Sequence, residues 1–245
     1  MITTFMILGL IIIFLAGITS GLTGFGFALI SVPLMMLFLP LKTVTPIILL
    51  LQILINLFLL FEARKFVNLK RIWPLILVGI LGIPLGTYLL LFLDVTILKI
   101  SVGLIIILFA IAFLTGFKKE IKRERSAFAI VGFISGILNG STAMSGPPVV
   151  LFFTNQNIEK RTFRANLIAY FIILNLITIP FLLIGNLITL ETIGYTALFL
   201  PALFLGGLTG TRLIHKINEK LFKKIVLIII IASGLLSTAS GLGII

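Results

Sequence analysis

The chain has no cysteine, one histidine and only seven carboxylate residues among 245. Without cysteine it has no disulfide, no thiolate metal site and no cysteine nucleophile. A single histidine, His215, excludes a metal site built from several imidazoles. No Asp or Glu lies deep in an apolar stretch, which argues against a cation pump and against an intramembrane aspartyl protease, because both keep carboxylates at depth.

Apolar residues take the place of the missing polar ones. Charged residues make up 11% of the chain, hydrophobic residues 60%, and the mean hydropathy is +1.32. Soluble domains carry about 25% charged residues, and a globule of this size cannot bury so much apolar surface. The apolar runs are continuous, whereas barrel strands alternate over about ten residues. The sequence therefore predicts an all-α polytopic membrane protein that contacts the lipid bilayer.

Ten apolar segments follow one another along the chain. The first charge is Lys42, so the run at the N-terminus is interpreted as a membrane segment and not as a cleaved signal. Two pairs of segments are interrupted by stretches rich in Gly and Pro, Ser20–Phe27 and Asn139–Pro148. The ten segments are 2–20, 27–41, 44–61, 73–93, 96–116, 127–140, 147–155, 165–188, 192–211 and 222–243.

The two interrupted regions resemble each other and indicate an internal repeat. Residues 17–38 align with 132–153 without a gap, and a second block aligns Gly82 and Gly86 with Gly206 and Gly210. The predicted units are an N-terminal transmembrane repeat, 1–116, a basic cytoplasmic linker, 117–126, and a C-terminal transmembrane repeat, 127–245. Matched positions in the first block are Gly17/Gly132, Ser20/Ser135, Gly21/Gly136, Pro33/Pro148 and Phe38/Phe153.

The distribution of Lys and Arg predicts the topology. If each interrupted region is a hairpin that returns to its own side, all 19 basic residues except Lys42 and Lys99 fall on one side. The positive-inside rule makes that side cytoplasmic and places both termini outside. Each repeat is then a broken-helix hairpin plus three transmembrane helices, so the two repeats have inverted topology. Many secondary transporters share this plan and bind substrate at the breaks.

The breaks contain the groups suited to an anion. Helix N-termini present free N–H donors with a partial positive charge, and glycine lets a ligand approach the backbone closely. Close helix packing is the alternative explanation for the small residues. Arg161 and Arg164 follow the second hairpin, where topology alone explains them and a role in attracting anions stays open. Hydroxyls and deep amides that complete the candidate pocket are Thr23, Ser141, Thr142, Ser145, Gln52, Asn56 and Asn175.

At these breaks the chain resembles the TauE/SafE family of membrane anion exporters. The resemblance rests on Gly21-Leu-Thr-Gly-Phe-Gly-Phe-Ala-Leu-Ile-Ser-Val-Pro-Leu34 and Gly136-Ile-Leu-Asn-Gly-Ser-Thr-Ala-Met-Ser-Gly-Pro-Pro-Val149. It implies transport of sulfite or small organosulfonates, usually outward. Phe25 and Met144 stand where the family pattern has smaller residues. Their bulk is expected to narrow or reshape the pocket, so they bear on which substrate it accepts. By position the resemblance assigns Gly21, Gly24, Gly26, Pro33, Asn139, Gly140, Ser145, Gly146 and Pro148 to the site.

The sequence thus predicts a secondary transporter in the plasma membrane, not an enzyme, that moves a small sulfur-containing anion by alternating access. The basic residues lie between apolar runs, so nucleic acid is not an expected partner, and no cofactor or metal is expected. Import, another small anion, a membrane enzyme and a non-transporting assembly subunit are the alternatives. An enzyme would need a nucleophile, carboxylate or metal beside the breaks, and a subunit would not need two matched breaks. Whether the chain forms a homo-oligomer stays open.

Because the chain lacks cysteine, single introduced cysteines test the topology. Cysteines placed within 117–126 should react with an impermeant thiol reagent only from the cytoplasm, and cysteines at 42–45 or at the termini only from outside. Labelling of both groups from the same side would contradict the predicted orientation.

Overall fold

A computed structural model describes residues 2–114, 124–156, 158–214 and 219–244. His215 and most of the predicted linker 117–126 lie outside the described residues. Within them the chain forms ten α-helices, a 3₁₀ turn at Arg64–Phe66 and no strand. The helices are α1 Ile2–Thr23, α2 Phe27–Met35, α3 Leu41–Ala63, α4 Leu69–Phe92, α5 Val95–Leu114, α6 Glu124–Thr142, α7 Gly146–Asn155, α8 Lys160–Ile184, α9 Leu190–Ile214 and α10 Glu219–Gly241.

Five spans in the described residues are long and apolar enough to cross a membrane, and α5 and α6 contribute shorter apolar stretches. The prediction of an all-α polytopic membrane protein is therefore confirmed. The five spans are Met6–Thr23, Leu41–Phe66, Leu69–Phe92, Lys160–Ile184 and Leu190–Leu213.

The second leg of each hairpin is short. α2 has 9 residues and α7 has 10, which at 1.5 Å per residue gives roughly 14 to 15 Å, half of a hydrocarbon core of about 30 Å. The predicted apolar segment 27–41 is wrong at its end, because α2 stops at Met35 and α3 begins at Leu41 after Pro40. Hydropathy could not find this boundary, since the turn residues between them are themselves apolar.

The two halves of the chain use the same set of helix contacts. α1 packs along α9 and α6 packs along α4, while α3 packs on α8 and α5 on α10. α3 and α8 run antiparallel, because Glu62 near the end of α3 pairs with Arg164 near the start of α8. α5 and α10 also run antiparallel: Gly103 lies against Thr238, and Gly234 lies against Ile107.

The third helices of the two halves, α3 and α8, thus pack antiparallel to each other, and so do the fifth helices, α5 and α10. This is the arrangement that an inverted repeat requires. The repeat boundaries and the orientation of each half in a membrane stay predictions.

Glycines let the paired helices approach until backbone meets backbone. A Cβ added to Gly17 would come within 2.9 Å of the Leu203 carbonyl oxygen, and one added to Gly136 would overlap the Gly79 carbonyl oxygen. Gly17 and Gly136 make the same contact in the two halves and are 119 residues apart in the chain. Their contact partners, Leu203 on α9 and Gly79 on α4, are 124 residues apart. The second offset matches the predicted alignment. The first is one helical turn longer than predicted, because glycines recur every four residues in α6 and an alignment can slide along them.

The glycine contacts predict a stability difference between two matched variants. Gly136→Ala should lower the free energy of unfolding in detergent by about 1–3 kcal/mol, and the melting temperature with it, because α6 must move away from α4. Gly194→Ala on α9 has no heavy atom within 4 Å of the added Cβ and should leave the melting temperature unchanged or raise it. Equal stability of the two variants would contradict the close α4–α6 contact.

Candidate functional site

The first break, Gly24–Gly26, turns the chain with two left-handed glycines. Gly24 and Gly26 have φ of 79° and 89°, a region that residues with a Cβ rarely adopt. The Gly24 N–H ends α1 by donating to the Ser20 carbonyl at 2.8 Å. α2 then starts at Phe27; the Ile30 N–H donates to the Gly26 carbonyl at 3.1 Å, and the N–H groups of Phe27 and Ala28 have no acceptor within the helix. The N-terminus of α2 therefore points its donors at the break.

The second break, residues 143–145, repeats the first turn with a different residue. The Ala143 N–H donates to the Asn139 carbonyl at 2.9 Å, and Ala143 has a φ of 57°. Ala143 thus occupies the position of Gly24, which lies 119 residues earlier. α7 begins with Gly146 and two prolines, which carry no N–H, so it offers fewer donors than α2. The donor-rich terminus belongs to the first break.

The two breaks approach each other across the middle of the protein. A Cβ on Gly146 would lie 3.7 Å from the Phe25 ring and 3.8 Å from the Phe171 ring, at ordinary contact distance. Phe25 and Met144 are the central residues of the two breaks, and both are buried. The structure therefore brings the breaks together, with Phe25, Phe171 and Gly146 between them.

Most predicted hydroxyls are already used within their own turns. The Thr23 hydroxyl lies 2.8 Å from the Thr19 carbonyl oxygen and 2.6 Å from that of Phe25, and it accepts the Phe25 N–H. Thr142 donates to the Leu138 carbonyl at 3.0 Å, and Ser141 lies 3.5 Å from the same oxygen. Ser145 differs, because its buried Oγ has no partner among the described residues.

Five predicted site residues carry buried polar atoms without a partner among the described residues: Gln52, Asn56, Asn139, Ser145 and Asn175. Native proteins leave few buried polar groups unpaired, so such a group needs an explanation. Asn56 and Asn175 are 119 residues apart and hold equivalent positions on α3 and α8. Asn139 and Ser20 are also equivalent, and Ser20 Oγ is unpaired too. Two pairs of unpaired groups thus repeat in the two halves, whereas Gln52 and Ser145 correspond to Phe171 and Gly26.

Gln52 and Asn175 lie at the same depth. Counted from the Glu62–Arg164 pair, Gln52 is ten residues back along α3 and Asn175 is eleven residues forward along α8. At 1.5 Å per residue both lie about 15 to 17 Å from that pair. Asn139 is tied to the same helix, since its Nδ2 donates to Thr178 Oγ1 at 2.8 Å. Phe171, one turn before Asn175 on α8, lies against Gly146, so these amides lie near the start of α7 and well along the helices from the Glu62–Arg164 pair.

The other predicted residues have packing or turn roles. Gly21 lies against the Gly207 carbonyl and Thr211 N–H of α9, and Gly140 lies against the equivalent groups of α4. Pro33 is buried inside α2, whereas Pro148 lies in the first turn of α7. The two prolines are therefore not equivalent in the structure, although the sequence alignment matched them.

Arg164 is the site neighbour that the sequence analysis left out of the pocket. Its Nη2 donates to the Gly21 carbonyl at 2.8 Å, and its side chain covers Gly24. The residue immediately precedes the predicted segment 165–188, so it was counted with the loop. α8 begins at Lys160, so Arg164 lies one turn inside the helix. A prediction that had extended the helix back from the apolar segment to Lys160 would have included it.

No three His, Cys, Asp or Glu residues lie together in the described residues, so no group of ligands for a metal ion is found there. An apolar groove of about 590 Å³ between α3 and α9 contains Leu54, Phe58 and Phe204 in its lining. It contains none of the predicted site residues.

The helices and the two broken hairpins define a polytopic α-helical membrane protein. The chain belongs to the sulfite exporter TauE/SafE family, whose model matches residues 9–237. The resemblance stated from the sequence is confirmed. Membership suggests a membrane transporter of sulfur anions and places the chain in a transporter family, not an enzyme family. Comparison with curated proteins and with solved structures gives no match.

Two asparagines on α8 test whether the unpaired amides are kept for a ligand. Asn175 and Asn166 are both fully buried. Asn166 Oδ1 accepts the Asn68 N–H at 2.7 Å and only its Nδ2 is unpaired, whereas both polar atoms of Asn175 are unpaired. Asn175→Leu should raise the melting temperature of the ligand-free protein, since an unpaired buried polar group costs about 1–3 kcal/mol, and should abolish anion transport.

Asn166→Leu is the matched control and should lower the melting temperature. If Asn175→Leu transports normally, or destabilises as much as the control, Asn175 is a structural residue.

Proposed function

We propose that this protein is a secondary transporter that moves a small sulfur-containing oxyanion, sulfite or an organosulfonate, outward across the plasma membrane. The anion binds between the two breaks, beside α3 and α8. The observation that carries the proposal is the pair of unpaired buried amides, Asn56 and Asn175, at equivalent positions on α3 and α8, in a chain of the TauE/SafE family.

The site chemistry suits an anion held by neutral donors. Asn56 and Asn175 each leave an amide NH₂ without a partner among the described residues, and Ser145 adds a hydroxyl. The N-terminus of α2 adds a partial positive charge of about half an elementary charge. Carboxylates in the described residues lie at helix ends or in turns, at Glu62, Asp94, Glu124, Glu159, Glu191 and Glu219. The pocket therefore has no fixed negative charge to repel an oxyanion.

The halves suggest how the site opens to each side in turn. α3 and α8 lie antiparallel, and each hairpin packs on the fourth helix of the other half, α1 on α9 and α6 on α4. Rocking of one half against the other around a central site is the mechanism expected for inverted repeats. In the topology proposed here both termini face outward. Export then needs no ATP, because one negative charge gains about 2.3 kcal/mol per 100 mV when the cell interior is negative.

Sulfite flux in proteoliposomes tests the proposal. The purified protein should give saturable sulfite flux that follows an imposed membrane potential and is competed by sulfoacetate more strongly than by chloride. Flux that responds to the opposite sign of the potential would favour import. Absence of flux for sulfite, sulfoacetate and sulfate from folded protein would overturn the proposal and favour the assembly-subunit alternative.

Gly146→Val supplies the inactive variant for this assay. A Cβ at this position meets the Phe25 and Phe171 rings and no backbone atom within 4 Å. The protein should therefore fold but lose flux, because valine adds bulk between the breaks. Gly194→Val, at an exposed position of α9, is the matched control and should transport like the parent. Normal flux through the Gly146 variant would show that the anion does not pass or bind between the two breaks.

A further inference from the structure

Arg164 is the only buried charged residue in the part of the chain that the structure describes. Its side chain is 7% exposed, whereas that of its ion-pair partner Glu62 is 48% exposed. The Nη1–Oε2 distance of 3.4 Å is long for a charge-assisted bond, which is about 2.7–2.9 Å. The guanidinium is thus held inside the protein, and its carboxylate partner is about half exposed.

The guanidinium lies directly on the first break. Nη2 donates to the Gly21 carbonyl, and a Cβ on Gly24 would collide with the Arg164 side chain. Arg164 Nε has no partner among the described residues. A buried donor with a full charge and an unused N–H therefore borders the break that has the donor-rich helix terminus.

The equivalent position in the other half has no charge. Thr45 lies 119 residues before Arg164, and its hydroxyl donates at 3.3 Å to the carbonyl of Ser141, in the last turn of α6 before the second break. A neutral hydroxyl is thus sufficient to hold a carbonyl at the end of the first hairpin leg. The charge of Arg164 is an addition that only the first break has.

Capping of α1 is the simplest structural role for Arg164, since Arg can bond the last carbonyls of a helix. That role requires one N–H donor and neither the charge nor Glu62. Burying a charge is costly unless it is paired well, and the Glu62 contact is long. Capping alone therefore leaves the buried charge unexplained.

We propose that Arg164 is an anion-binding residue at the first break and that Glu62 occupies its guanidinium when no anion is bound. This inference rests on the proposed function. The transported anion displaces the Glu62 carboxylate as it enters or leaves on the side where α3 ends and α8 begins. Guanidinium is the side chain best matched to oxyanions, because its planar N–H groups bind two oxygens at once.

Competition for one guanidinium makes a specific prediction. Glu62→Gln keeps the shape of the side chain but removes the competing charge. The KM for sulfite should fall about threefold, the size expected from releasing a partly exposed ion pair. Sulfite should also raise the melting temperature of this variant more than that of the parent. A purely structural ion pair would instead lower the melting temperature and leave KM unchanged.

Glu159→Gln is the matched control. Glu159 is an exposed carboxylate at the N-cap of α8, five residues before Arg164, and its side chain makes no capping bond. Removing it changes the net charge of the same end of the protein by the same amount. Its KM should equal that of the parent, so a similar fall in both variants would show a general charge effect and overturn the proposal.

Arg164→Gln tests the guanidinium itself and keeps a donor for the Gly21 carbonyl, so the cap can persist. Its sulfite KM should rise at least tenfold while its melting temperature without anion stays near that of the parent. Arg164→Lys, which keeps the charge, should recover part of the affinity. A normal KM in Arg164→Gln, or in Glu62→Gln, overturns this inference but does not contradict the proposed transport function. Absence of flux in the parent overturns the proposed function, and this inference with it.

Discussion

The fold depends on one constraint: a helix that is interrupted inside a membrane exposes backbone N–H and C=O groups that lipid cannot satisfy. Both breaks are therefore buried in protein. α3 and α8, each with more than half of its residues buried, lie beside the breaks, and α4 and α9 cover the first legs of the hairpins. Glycine-lined contacts make this cover close enough to exclude lipid, since backbone meets backbone at Gly17, Gly21, Gly136 and Gly140.

The same constraint explains why the site is polar. Groups that end a helix in the protein interior need partners, and the chain provides some of them locally, through Thr23 and Thr142. Others stay unpaired, notably Ser145 and the amides of α3 and α8. An arrangement that satisfies its turns but leaves central amides unused is suited to a ligand that is present only during part of a transport cycle. Arg164 adds a charge to one break only, so the two ends of the pathway differ chemically.

The sequence predicted the all-α membrane architecture and its two interruptions, because hydropathy and the Gly and Pro breaks are local or cumulative signals. The orientation derived from Lys and Arg stays a prediction. The sequence also predicted Ser145, Asn139 and the deep amides as candidate residues, on the ground that polar groups at depth need a reason. It could not predict that Thr23 bonds within its own turn, and it could not decide between a packing and a ligand role for Gly21, since both depend on three-dimensional neighbours. It left Arg164 out because a residue at the edge of an apolar segment looks like a loop residue until the helix start is known.

The offset between the halves shows a related limit. Glycines spaced four residues apart gave an alignment that was one helical turn away from the structural one, since every turn of α6 presents a similar face. The matching turn at Gly24 and Ala143 is a backbone property, shown by φ and by the bonds to Ser20 and Asn139. Residue identity does not reveal it.

The central claim is that a small oxyanion binds between the two breaks. The most direct measurement is a crystal structure with selenite, a heavier analogue of sulfite, located by the anomalous scattering of selenium. The account predicts a selenium peak bordered by Ser145, Asn175 and the N-terminus of α2, which is lost in Asn175→Leu crystals. A selenium peak elsewhere in a protein that transports selenite, with the space between the breaks empty, would contradict it.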